Sequence, residues 1–239
     1  MTDAVDLATR NFATFWTSLA QTRGHEVIRR PGFLAVDGQG RANLRILLLS
    51  PDPTAEEINE LTALARRSSR TVVVEDPYSS LDLGELGLTS RQMPVMIREV
   101  GMDTAPPTLE VTRVDRADQL ETAERIVVDG FPLRAFQPYR PGEVFPKEVL
   151  DYDGVELFVI ERDGVPAGTC YTIDDGSVAG LYWVTTMPEH QSRGVGRALM
   201  NAVLGSLKGQ PIVLTAAKAG KPLYDSLGFK TVGNATWWM

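Results

Sequence analysis

The segment Gln191-Ser192-Arg193-Gly194-Val195-Gly196-Arg197-Ala198-Leu199-Met200 joins a strand-like run, Leu181 to Thr186, to an amphipathic helical pattern ending near Leu207. The first N–H groups of a helix lack internal partners, and the helix dipole favours negative charge beside them. Gly194 and Gly196 remove Cβ atoms from the path of an approaching pyrophosphate, and Arg193 and Arg197 add cationic donors. The segment reads as an anion cradle. The competing reading is a plain strand-to-helix turn that happens to contain glycine.

Two familiar nucleotide fingerprints do not fit. A dinucleotide-binding βαβ unit needs a third glycine and an acidic residue at the end of the next strand. Here Gly196 is followed by Arg197-Ala198-Leu199, and the next strand, Ile212 to Thr215, runs into Ala216-Ala217. A phosphate loop of the Walker type ends in Gly-Lys-Ser/Thr, which is missing.

A second block lies downstream, Leu223-Tyr224-Asp225-Ser226-Leu227-Gly228-Phe229. With Gln191-x-x-Gly194-x-Gly196 directly after a strand and Pro188, it resembles the GNAT superfamily of acyl-CoA-dependent N-acyltransferases over roughly Thr108 to Met239. The resemblance implies a mixed α/β sheet that splays apart between the strand before the cradle and the strand after its helix. It implies acetyl-CoA as co-substrate, with pantetheine against the backbone of Val184, Thr185 and Thr186. Gln191, Ser192, Arg193, Gly194, Val195, Gly196 and Arg197 would hold the pyrophosphate. The acetyl group would pass directly to a primary amine of a small molecule or peptide, and Tyr224 would protonate or hydrogen-bond the departing sulfur. A core aromatic on a short helix is the alternative for Tyr224.

The sequence departs from the family pattern in two places. No asparagine stands in Ala216-Ala217-Lys218-Ala219-Gly220-Lys221-Pro222, leaving Lys218 or Lys221 as substitutes. Neither Leu181 to Thr186 nor Ile212 to Thr215 contains a glutamate to act as base. Glu156, Glu189 or an ordered water could take that part. Cys170 reads as packing, since no histidine partner is evident. His190 reads as exposed loop surface.

Composition sets outer limits. The chain has 239 residues, 43% hydrophobic and 23% charged, an ordinary globular balance. Its net charge of −7 opposes non-specific nucleic-acid binding. No apolar run approaches a membrane span. The acidic start Met1-Thr2-Asp3 lacks the pattern of a secretory signal, and the single Cys170 excludes an intrachain disulfide. With two histidines, no metal site is expected. These features point to the cytoplasm, with no nucleic acid or membrane as partner and a monomer or homodimer as the state of assembly.

The first half looks like a degenerate copy of the second. Val72-Val73-Val74 and Leu86-Gly87-Leu88 precede Val213-Leu214-Thr215 and Leu227-Gly228-Phe229 by the same 141 positions. Leu47-Leu48-Leu49-Ser50-Pro51 precedes Val184-Thr185-Thr186-Met187-Pro188 by 137. In place of the cradle stands Asp52-Pro53-Thr54-Ala55-Glu56-Glu57, without glycine and with three acids that would repel a pyrophosphate. Leu83 takes the place of neighbouring apolar positions, and no tyrosine stands opposite Tyr224. Chance similarity between βαβ segments is the alternative.

The expected organisation is a GNAT-like α/β unit over 1–103 that binds no coenzyme A, a linker at 104–107, and a catalytic GNAT unit over 108–239. Within the first unit, a short helix is expected at Leu81 to Leu86 and a strand at Pro94 to Val100. In the second, Phe131 to Pro146, with four prolines and four aromatics, corresponds to the wall of the acceptor site. A non-catalytic acyl-CoA-binding or regulatory module is the alternative function.

Overall fold

The computed structural model describes residues 4–131, 133–207 and 209–239; Pro132 of the proline-rich segment lies outside them. The first half runs α1 (Ala4–Arg23), β1 (Glu26–Arg29), β2 (Phe33–Asp37), β3 (Leu44–Leu48), α2 (Ala55–Arg67), β4 (Val72–Asp76) and β5 (Ser90–Arg98). The second runs β6 (Val111–Arg113), α3 (Ala117–Gly130), β7 (Val155–Arg162), β8 (Val165–Asp174), β9 (Ala179–Thr186), α4 (Val195–Ser206), β10 (Ile212–Thr215), α5 (Lys221–Ser226) and β11 (Lys230–Trp238). The result is a mixed α/β fold.

All eleven strands form one sheet, ordered β1-β2-β3-β4-β11-β5-β10-β9-β8-β7-β6. β3 and β4 run parallel around α2, and β9 and β10 run parallel around α4. At the centre the final strands of the two halves are interleaved. β5 lies antiparallel to β10, β11 lies antiparallel to β4, and β5 and β11 pair with each other from Ser90↔Trp238 to Ile97↔Lys230. One irregularity interrupts that last ladder, between Thr231 and Gly233. Each half thus completes its sheet with a strand of the other.

Two elements differ from the sequence expectation. β5 begins at Ser90 rather than Pro94, because β11 supplies partners to the polar residues Ser90, Arg91 and Gln92. Their exposure hid them from a reading based on apolar periodicity. The expected helix at Leu81 to Leu86 shrinks to one 3-10 turn, Gly84–Leu86. The buried Asp76 carboxylate instead captures the N–H groups of Tyr78, Ser80 and Leu81, which fixes a loop.

The core lies on both faces of the sheet. One cluster joins Leu199, Met200 and Val203 of α4 to Met96, Leu181 and Leu214. On the other face α1 crosses the centre of the sheet, packing Ala8, Phe12 and Ala13 on Leu47, Val95, Val213 and Ala235. Phe12, Phe15 and Leu19 are at most 3% exposed. At about 1.5–3 kcal/mol per large apolar side chain, α1 couples the two halves far more strongly than the polar connection at 104–107.

Candidate active site

β9 and β10 separate almost as soon as they meet. Their ladder holds only Ala179↔Ile212 and Gly180↔Val213. Leu214 and Thr215 have no partner on β9 and pair only across the other edge, with Met96 and Val95 of β5. On its other edge β9 carries a bulge, since the register to β8 jumps between Thr185↔Thr169 and Tyr182↔Tyr171. Trp183 sits in that irregularity with φ 45°. An extra residue bends the strand and strengthens its twist, which carries Val184, Thr185 and Thr186 away from β10. The expected split therefore lies where the motifs placed it. Val184 packs toward α4 and Trp183 toward the aromatic cluster of α1 and α3. The Thr186 carbonyl is not free, since it accepts the Gln191 amide at 3.3 Å.

Beyond β9 the chain makes one 3-10 turn, Pro188–His190, and enters α4 at Val195. Gly194 caps the helix with φ 82°, a conformation that costs other residues about 1–2 kcal/mol. No side chain caps this end. Among the described residues no protein acceptor bonds the N–H groups from Ser192 to Arg197, and the helix ladder begins with Ala198 donating to Gly194 at 3.0 Å. A Cβ on Gly196 would meet Thr186 Oγ1 at 3.4 Å and Leu223 Cδ2 at 3.5 Å, so its absence keeps open the gap between cradle and strand. Arg193 is exposed, and Arg197 reaches across to the Ser226 hydroxyl at 2.9 Å, tying α4 to α5.

The corresponding end of α2 is closed by its own side chains. Thr54 Oγ1 accepts from Glu57 N, and the Glu57 carboxylate accepts from the N–H groups of Thr54 and Gly32. At the end of β3 the Tyr78 hydroxyl lies 3.0 Å from Asp6 and 3.4 Å from the Leu49 carbonyl.

Tyr224 projects from α5 into the core beside the split. It is 8% exposed, packs edge-on against Phe229 at 5.7 Å, and lies in the same cluster as Cys170. Burial first, and the neighbouring Cys170 second, push its hydroxyl above the ordinary tyrosine range. At neutral pH it is a protonated donor, and among the described residues no protein group is bonded to its oxygen. Leu223 packs at Gly196, so α5 adjoins the cradle.

The other residues singled out by sequence are spread apart. Glu156 pairs with Arg113 at 3.2 Å on β7, and Glu189 is exposed. Lys221 pairs with Asp225 at 2.8 Å, and Lys218 is exposed. Cys170 is fully buried, which raises its thiol out of the reactive range. His190 departs from the expected exposed surface: it is half-buried, and its Nδ1 has no partner. Among the described residues no group of three or more His, Cys, Asp or Glu side chains is placed to hold a metal.

The segment 131–146 packs more tightly than its composition suggested. Phe145 is 2% exposed, while Phe131, Phe136 and Tyr139 are half-buried. Glu124, 1% exposed on α3, fastens the segment by accepting from Val144 N at 2.7 Å, Gly142 N at 2.8 Å, Tyr139 Oη at 3.0 Å and Phe145 N at 3.1 Å. The first half holds the same segment, as Arg23 donates to the Val144 carbonyl at 2.7 Å and Arg41 to that of Pro138 at 2.9 Å. Burial lowers the Arg23 pKa to about 10.

One group was invisible to sequence reading. Arg45 of β3 bonds Glu75 of β4, and its guanidinium lies 3.8 Å from the centroid of Trp16 in α1. The indole N–H of Trp16 faces Glu75 at 3.4 Å, and the Trp16 ring meets that of Trp183 at 6.4 Å. Burial pulls Glu75 up and Arg45 down, and their mutual attraction opposes both shifts. The only signal was a pair of acids, Glu75-Asp76, ending an apolar strand.

Similarity to known proteins agrees with this geometry. A GCN5-related N-acetyltransferase from Kribbella flavida is 18% identical, with a TM-score of 0.64 over 100% of this chain and 96% of that one. A putative GNAT-family acetyltransferase from Novosphingobium aromaticivorans is 13% identical, with a TM-score of 0.60 over 98% and 96%. A GCN5-related N-acetyltransferase-like protein from Streptococcus suis is 11% identical, with a TM-score of 0.53 over 97% and 98%. At these identities the likeness concerns the fold, and it extends over both halves. No curated protein matches the chain. Residues 121–237 match the family described as acetyltransferase (GNAT) domain. By that match, and by the split sheet and open helix end it encloses, the second half of this chain belongs to the GNAT acetyltransferase family.

Proposed function

We propose that this protein is an acetyl-CoA-dependent N-acetyltransferase that acts on a primary amine by direct transfer. The observation that carries the reading is the pairing of the β9–β10 split with an uncapped α4 whose N–H groups are unbonded. That combination suits a ligand with an extended amide-bearing arm and a diphosphate. The arm lies along Val184 and Thr185, and the diphosphate meets Ser192 to Arg197 with Arg193 alongside. The thioester then faces Tyr224. The neutral amine nitrogen bonds the carbonyl carbon, the carbon–sulfur bond breaks, the Tyr224 hydroxyl gives its proton to the sulfur, and the proton that the nitrogen sheds passes through water to restore the tyrosine.

In this reading 108–239 is the catalytic unit and 1–103 a GNAT-like unit that binds no coenzyme A, because Glu57 and Tyr78 occupy its equivalent positions. The site of action is the cytoplasm; among the described residues no helix is long and apolar enough to cross a membrane. The test is calorimetry with acetyl-CoA, followed by thiol release across a panel of amines. Binding with amine-dependent release supports the assignment. Binding without release makes the chain an acyl-CoA-binding module, and absence of binding overturns both.

A further inference from the structure

We infer that the first half supplies the acceptor subsite, and that the acceptor is an amine that also carries a carboxylate, held by Arg45. The inference rests on the proposed acetyl transfer and names the substrate class of that same site.

Strand registers put this group at the open end of the split. Gly180 of β9 is level with Val213, which is level with Ile97 of β5. Six residues on from Gly180 is Thr186, which the bulge leaves only five rungs up, level with Gly168 of β8; Arg91, six residues from Ile97 in the same direction, stands one rung further. Arg91 pairs with Trp237 of β11, and Trp237 pairs with Glu75 of β4. Glu75 thus stands about one rung beyond the end of β9, past the bulge at Trp183. The contacts run the same way, from Trp183 in the β9 bulge to Trp16, and from Trp16 to Arg45 and Glu75.

Arg45 is prepared for one kind of ligand. Its guanidinium is stacked on Trp16 and lies 5.6 Å from the ring centroid of Trp237. Glu75 binds one terminal nitrogen, Nη1. Among the described residues Nε and Nη2 have no protein acceptor, yet neither is sealed from solvent, and the side chain keeps 15% exposure. A guanidinium has five N–H donors in a rigid fork, and the nitrogens that Glu75 leaves unbonded can take an acceptor from the solvent side. Stacking and the Glu75 tether fix the fork before a ligand arrives, so little side-chain entropy is lost on binding. A carboxylate matches the unfilled edge. A cationic group does not, because Arg45 already covers the Trp16 ring and neutralises Glu75. Trp183 and Trp237, both half-buried, offer apolar walls for the body of the acceptor.

The experiment compares amino acids of graded length with their own carboxamides, using acetyl-CoA and thiol detection. Binding of each is also followed by tryptophan fluorescence in the presence of coenzyme A, which needs no turnover. For the wild type, the acids are expected to exceed the amides in kcat/KM and in affinity by about tenfold or more. Arg45→Gln should abolish that preference through KM for the acceptor while leaving KM for acetyl-CoA unchanged. Glu75→Gln, which keeps the stacked guanidinium, should retain it. Should Arg45→Gln fail to fold, the wild-type comparison and Arg45→Lys decide. Equal use of acids and amides, binding of neither, or a preference that survives in Arg45→Gln overturns the inference. Loss of acetyl-CoA binding itself, read separately by calorimetry, would overturn the proposed function instead.

Discussion

Glu57 Oε1 accepts the backbone N–H of Gly32 at 2.6 Å while Glu57 Oε2 closes back on the N–H of Thr54 at 2.8 Å. The N-terminus of α2 therefore carries its own anion, at the place where α4 has neither cap nor counter-charge. One helix start is closed by its own side chains; the other has no side-chain cap.

Thr54→Ala is expected to cost about 1 kcal/mol of stability, the usual value of a lost cap, with acetyl-CoA affinity unchanged. Backbone hydrogen bonds from Thr54 and Gly32 hold the Glu57 carboxyl below its ordinary range. Its stabilisation is therefore present above the ordinary carboxylate pKa and fades as pH falls through the lowered folded value. Urea melts of wild type and Glu57→Gln should differ at pH 7 and converge at strongly acidic pH. A difference independent of pH would show that the carboxylate plays no such part.

Tyr224→Phe removes the hydroxyl and leaves the ring packed on Phe229. Positioned proton donors contribute about 10²–10⁴-fold, so kcat should fall by about 10²-fold or more with little change in acetyl-CoA affinity. Because burial raises the hydroxyl pKa, Tyr224 stays protonated through the ordinary tyrosine range. The wild-type pH–rate profile should show no loss of activity near pH 10 from its ionisation. Unchanged kcat in the variant would return Tyr224 to the core.

Gly194 and Gly196 should fail differently. Gly194→Ala forces a side chain into φ 82° and should cost about 1–2 kcal/mol in stability, visible as a lower Tm. Gly196→Glu puts bulk and negative charge into the gap facing Thr186 and Leu223. It should abolish acetyl-CoA binding by calorimetry while leaving Tm near the wild-type value. Retained binding in Gly196→Glu would mean that the diphosphate lies elsewhere.

The glycine-bearing start of α4, the separation of β9 from β10 and the placement of Tyr224 on a short helix were legible because local chemistry makes them. Glycines at a strand-to-helix junction and a tyrosine at fixed spacing are read from ten or so consecutive residues. Arg45, Glu75 and Trp16 were not, because three separate elements bring them together only after the sheet has closed. The early start of β5 was hidden for the same reason: Ser90 to Gln92 owe their strand conformation to Thr236 to Trp238 of β11, far along the chain. The paired offsets fall on two parallel βαβ segments, β3-α2-β4 and β9-α4-β10. Nothing in those offsets stated that each would finish its sheet with the other's last strand.

Glu124 should prove essential to the fold of the segment from Tyr139 to Phe145. It is buried and accepts three backbone N–H groups and the Tyr139 hydroxyl. Glu124→Ala leaves those buried donors unsatisfied, at about 1–3 kcal/mol for each group that water cannot reach. The expected result is a clear drop in Tm and faster proteolysis between residues 131 and 146. Acetyl-CoA affinity should hold at temperatures where the variant stays folded, since the cradle is built from other elements. Protease resistance equal to wild type would show that the segment is held without Glu124.

Residues 104–239 expressed alone should not give a stable monomer. β5 lies between β10 and β11, so its removal opens one edge of β10 from Ile212 to Thr215 and one edge of β11 from Lys230 to Trp238. β11 would also lose β4, its other neighbour. Two strands with open edges pair with other chains unless something covers them. The loss of α1 removes Phe12, Phe15 and Leu19 from the opposite face and exposes Val213, Ala235 and Tyr182. The fragment is expected to aggregate or to dimerise by exchanging β11, and co-expression with residues 1–103 should restore a soluble complex of the two pieces. Size-exclusion chromatography with light scattering separates these outcomes. A monomeric fragment with a cooperative melt would mean that β10 and β11 can close on each other without β5, and that the interleaving is a convenience of the linked chain rather than a condition of its stability.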